Sequence, residues 1–70
     1  MNHVFKLSIN CNNAAFCDSD APTQETAAPE LARILREVAQ RIESGDSFDT
    51  YRNIQDFNGN IVGTFALKSE

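Results

Sequence analysis

Cysteine and histidine are scarce in this chain: Cys11, Cys17 and His3 are the whole supply in 70 residues. Two cysteines cannot form the disulfide framework of a secreted miniprotein, and no charged-then-apolar leader precedes them, so a reducing cytosol is the expected setting. Five residues separate the cysteines, which is not a CxxC knuckle. A structural zinc takes about four Cys or His ligands, so neither a metal nor a cofactor is expected. No apolar run approaches the roughly 18 residues that a membrane-spanning helix needs.

Positive charge is also in short supply, with six Lys and Arg against ten Asp and Glu for a net charge of -4. Affinity for a nucleic-acid backbone comes from cations that displace counterions, so direct nucleic-acid binding is disfavoured. A DNA mimic would need a denser carboxylate surface. Of the three glycines, Gly45 suits a helix stop, Gly59 a turn and Gly63 a packing position, leaving none for a phosphate-cradling loop. His3 has no partner of predictable geometry for nucleophilic catalysis, and Asp46, Asp49 and Asp56 read as solvated turn residues. The chain is expected not to be an enzyme.

The length holds one hydrophobic core. Residues 3–11 form a strand, because Phe5, Leu7, Ile9 and Cys11 alternate with Lys6, Ser8 and Asn10. Residues 12–28 turn polar and read as a long loop, with Phe16 as an anchor that tucks it onto the core. Pro29 suits a first helical position and Glu30 the positive end of the helix dipole, so a helix is expected over 29–44. Leu31, Ile34, Leu35, Val38 and Ile42 then fall on one stripe, and Ser44-Gly45 ends it. Strands follow over 48–57 and 60–67, joined by Asn58-Gly59 as a two-residue type I′ turn. That turn sets Gln55 opposite Val62, Ile54 opposite Gly63 and Arg52 opposite Phe65. It collects Phe48, Ile54, Ile61, Phe65 and Leu67 on one face.

The expected fold class is α+β, a two-layer β-α-β-β arrangement with one helix on one face of a three-stranded sheet, strand order 1-3-2 preferred. The other face would carry Val4, Tyr51, Val62, Thr64 and Ala66. It is too apolar to stand in water, so these residues are expected to form a homodimer interface. On the helix exterior, Arg33 and Arg36 are candidate partner-binding residues, able to clamp a phosphate or carboxylate-rich partner. Exposed Arg33-Glu37 and Glu37-Arg41 pairs are equally the ordinary dressing of a solvated helix. Asp18 and Asp20 in the loop offer a second candidate surface.

The run Glu30-Leu31-Ala32-Arg33-Ile34-Leu35-Arg36, then Ala39 with Arg41-Ile42, and Asp56-Phe57-Asn58-Gly59-Asn60-Ile61-Val62-Gly63 resemble small accessory proteins encoded by bacteriophages and prophages. Asn13-Ala14-Ala15-Phe16 is similar to the segment before the helix in those proteins. The resemblance covers about half the chain, and the acidic insert between Phe16 and Pro29 is longer than in that pattern. It implies a phage accessory protein that blocks a host defence complex by protein-protein contact, as anti-CRISPR proteins do, and it transfers no site residue. The alternatives are a dimeric sponge that sequesters a small nucleotide signal, or a structural phage module.

Overall fold

A computed structural model describes residues 2–17 and 21–70. Its elements in chain order are β1 (His3–Ile9), α1 (Gln24–Glu43), β2 (Arg52–Gln55) and β3 (Ile61–Ser69). The three strands form one sheet in the order β1-β3-β2, antiparallel throughout, with the helix on one face. The fold is α+β with the strand order expected from the chain's patterning.

The helix begins earlier than Pro29. Thr23 is the N-cap: its hydroxyl accepts the Thr26 N–H at 3.2 Å, and the Thr26 hydroxyl accepts the Thr23 N–H at 2.8 Å. This reciprocal box satisfies two donors that a helix start leaves open, worth about 1 kcal/mol. Pro29 therefore lies inside the helix, and its absent N–H removes one bond near the start of the ladder. At the other end Ser44 caps the helix, and Gly45 leaves it with a φ of 90°. Ala27, Ile34 and Val38 form the buried line of the helix, with Leu31 and Ile42 packed beside them. Leu35, expected on that line, stands 49% exposed. Glu30 is the one buried charged residue of the helix.

The hairpin turn also differs from expectation. Among the described residues none other than glycine has positive φ, so Asn58 does not supply the type I′ geometry. Instead the Gly59 N–H donates to the Asp56 carbonyl at 3.0 Å and the Asp56 N–H to the Asn60 carbonyl at 2.9 Å, with Gly59 at a φ of 86°. This is the three-residue turn with a left-handed glycine. The Asp56 carboxylate selects it by accepting the N–H groups of Asn58 and Asn60, each at 2.9 Å. Ile54 still pairs with Gly63 and Arg52 with Phe65, but a bulge after Ile54 sets Gln55 against Ile61 rather than Val62.

Gly63 makes room for β1 rather than for Ile54. A Cβ there would collide with the Ser8 carbonyl on the neighbouring strand.

The core joins Phe16, Ala27, Ile34, Val38, Ile54, Val62 and Phe65. Phe16 is fully buried, as expected of an anchor. Val62 belongs to this cluster and not to an outer face. The adjacent bulge adds local twist, so strict alternation no longer sorts the two faces at that end of the sheet.

Candidate functional site

Two carboxylates sit where the hairpin meets the helix, and both are structural. Glu30 is only 7% exposed. Arg33 grips it through Nε at 2.6 Å and Nη2 at 2.9 Å, and the Phe57 N–H donates to it at 2.7 Å. The Arg33 hydrogen bonds hold the Glu30 carboxyl below its ordinary range despite burial. Asp56 is buried as well, not solvated. Burial pushes its carboxyl up, but donors from Asn60, Asn13 and Asn58 outweigh this and hold it low. The Asn13 amide reaches it at 2.8 Å, tying the segment after β1 to the turn.

Arg33 is thus committed inside the chain. It also pairs with Glu37 at 2.9 Å and donates to the Gln55 carbonyl at 3.4 Å, while Arg41 donates to the Asn53 carbonyl at 3.0 Å. These arginines close the outer edge of β2. Arg33 is thus engaged with Glu30, Glu37 and Gln55 within the chain. Arg36 is exposed on the helix exterior. Asp18 and Asp20 lie outside the described residues.

The face away from the helix is less apolar than expected. Val62 is in the core and Ala66 is fully buried beneath its neighbours. Val4 and Tyr51 remain exposed and Thr64 half-buried. The Lys68 ammonium lies 5.0 Å from the Tyr51 ring centre, and Lys6 pairs with Glu70. The pairing of Lys6 with Ala66 and of Lys68 with Val4 brings both lysines to this face. Lys6, Leu7, Ser8, Tyr51 and Thr64 line a shallow groove of about 300 Å³ on this side.

Phe57 and Ile61 beside the hairpin turn are 63% and 62% exposed, and a second apolar exposure lies where β1 pairs with the end of β3. Phe5 is 44% and Leu67 39% exposed, and the two are directly paired across β1 and β3. The Phe48 ring meets Phe5 edge-on at 6.0 Å between centroids and Phe65 at 6.4 Å. The Phe48 carbonyl accepts the Leu67 N–H at 2.8 Å, which fixes the loop against the sheet. Asp46, Ser47 and Asp49 rim a hollow of about 220 Å³ beside Phe48 and Leu67. The Ser47 hydroxyl donates to Asp49 at 2.8 Å and holds that carboxyl below its ordinary value. Aromatic rings edged by carboxylates form a surface suited to an apolar partner with a basic rim.

Periodicity alone places these residues on a core face and so does not mark them as exposed.

Among the described residues no cluster of three or more His, Cys, Asp or Glu could hold a metal ion, and no helix is long and apolar enough to cross a membrane. Cys11 and Cys17 are free thiols.

No family model and no solved structure matches the chain. Over 51 residues it is 35% identical to the pyridoxine 5'-phosphate synthase of Desulfatibacillum aliphaticivorans, a match covering 73% of this chain and 21% of that enzyme. The chain thus spans about a fifth of the length of that curated relative.

Proposed function

We propose that this chain is a small non-enzymatic binding protein of phage type, which inhibits a bacterial defence complex by covering one of its surfaces. The observation that supports this reading is the corner of exposed Phe5 and Leu67 and half-buried Phe48, with Asp46 and Asp49 at its rim. Aromatic side chains carry a large share of binding energy when a partner desolvates them, and the flanking carboxylates favour a partner rich in Lys and Arg. The net charge of -4 acts in the same direction during encounter. The test is a plaque assay on defended and undefended hosts expressing the gene. Rescue of phage on the defended host, lost in the Leu67→Ser, Asp49→Lys double variant with its circular dichroism unchanged, is the expected result. Equal plating on both hosts across a panel of defence systems would sink the proposal.

A second reading, a sponge for a small nucleotide, is favoured by the groove on the opposite face. There Tyr51 offers a ring for stacking, and Lys6 and Lys68 offer charge for phosphate. Native mass spectrometry of the purified protein separates the two readings, because a sponge retains a nucleotide and a surface blocker does not.

A further inference from the structure

Among the described residues nothing covers the outward edge of β1, and its geometry can be read from the ladder it forms on its inner side. Asn2 and Glu70 exchange both backbone hydrogen bonds, at 2.9 and 2.7 Å, and the Asn10 N–H donates to the Val62 carbonyl at 2.7 Å. In an antiparallel pair, residues alternate between facing the partner strand and facing away. Val4, Lys6 and Ser8 therefore bond to β3, and the N–H and C=O groups of His3, Phe5 and Leu7 point to the free edge. Among the described residues nothing donates to or accepts from them. The strand is seven residues long, unbulged and free of proline, and none of its side chains is fully buried. Folded proteins normally guard such an edge, as Arg33 and Arg41 guard β2 here.

We propose that the occupant of this edge is a second copy of the same chain, paired antiparallel β1 to β1 about a two-fold axis at Phe5. An isologous contact must be self-complementary, and this edge satisfies that requirement. A two-fold at Phe5 sets Phe5 against its own copy and His3 against Leu7, so every outward group between them finds a partner, in about six backbone hydrogen bonds. On the far face Lys6 falls opposite Val4 of the other copy, so no like charges are directly opposed, and residues 2–9 contain no carboxylate to add to the repulsion of two acidic chains. The pairing also brings the two corners of Phe5, Phe48 and Leu67 together on one side of a six-stranded sheet. A small single-core domain gains by pairing some of the burial it lacks alone. The interface differs from the one expected on the outer face, and it does not depend on the blocking role.

The test combines sedimentation of the full chain, from low micromolar to millimolar concentration, with residue-resolved amide exchange. The expected mass at high concentration is twice 7.8 kDa. The Phe5 and Leu7 amides should then exchange about a hundredfold slower than in a free peptide, and lose that protection on dilution. A synthetic chain N-methylated at Phe5 keeps every bond of the β1 to β3 ladder and should sediment as a monomer. If that chain does not fold, the exchange of the unmodified protein decides. A monomer at millimolar concentration overturns the proposal, as does a dimer whose Phe5 and Leu7 amides exchange freely, or a folded N-methylated chain that still dimerises. Protection that appears only when a foreign partner is added overturns the second copy as occupant.

Discussion

On the β2 edge the carbonyls of Asn53 and Gln55 receive Arg41 and Arg33, whereas on the β1 edge the backbone of His3, Phe5 and Leu7 faces outward with no donor or acceptor among the described residues. The guarded edge is short, bulged and backed by Glu30, Asp56 and Phe16; the bare one is long and regular, with exposed Phe5 and Leu67 beside it. The contrast teaches where this small chain puts its stability and where it leaves surface for contact. Polar groups are fully satisfied at the turn end, and no buried side-chain N or O atom lacks a hydrogen bond among the described residues. Apolar surface is left open at both ends, at Phe57 and Ile61 beside the turn and at Phe5 and Leu67 opposite it.

The largest effect on this comparison comes from emptying the core behind the guarded side. Phe16→Ala should cost about 3 to 5 kcal/mol and Ile34→Ala about 2 to 5 kcal/mol in denaturant unfolding, whereas Leu35→Ala should cost under about 1 kcal/mol. Equal losses at Ile34 and Leu35 would show that the helix is rotated from the orientation described. Gly63→Ala comes next, at about 3 kcal/mol, because the added Cβ meets the rigid Ser8 backbone rather than a side chain that can move. An unchanged midpoint would mean that β1 and β3 do not approach as closely as described.

Loosening the polar clamp has a smaller effect. Glu30→Gln weakens the Arg33 bidentate contact and should cost about 1 to 3 kcal/mol. Glu30 and Asp56 both have carboxyls held below their ordinary values of 4.5 and 3.8, so the folded state binds their protons less readily than the unfolded chain does. Their contribution is present above those ordinary values and is lost as pH falls through the lower folded ones. Stability should therefore be flat from neutrality to about pH 5 and decline below it. Glu30→Gln combined with Asp56→Asn should flatten that acid limb in a pH series of urea melts.

The smallest effects lie on the helix surface. Arg41→Ala should cost under about 1 kcal/mol, yet it uncovers the Asn53 carbonyl and should raise concentration-dependent association. Arg36→Glu should stay within about 0.5 kcal/mol of the parent. If it nevertheless abolishes protection in the plaque assay, the helix exterior and not the aromatic corner contacts the target.

Much of the fold is legible in local pattern. Alternation from Phe5 to Ile9 marks β1, the spacing of Ile34 and Val38 marks the helix, and Gly59 marks a hairpin, because each reflects a period or a φ that the backbone imposes on nearby residues. The helix start was legible too, in Thr23 and Thr26 three apart, but Pro29 offers a stronger-looking signal five residues on. The candidate site was much less readable. Phe5 and Leu67 look like core because periodicity reports which face a residue is on and not how far along the sheet the helix extends.

The chain's own order of residues determined one core, the element types and the 1-3-2 strand order, since these follow from hydrophobic period, turn chemistry and the rule that connections stay short. Only the tertiary structure decided the hairpin loop, the fate of Val62, the burial of Glu30 and Asp56, and which edge is guarded. These depend on contacts such as Asn13 with Asp56 and Arg33 with Gln55, made by residues 43 and 22 positions apart, which no local window contains.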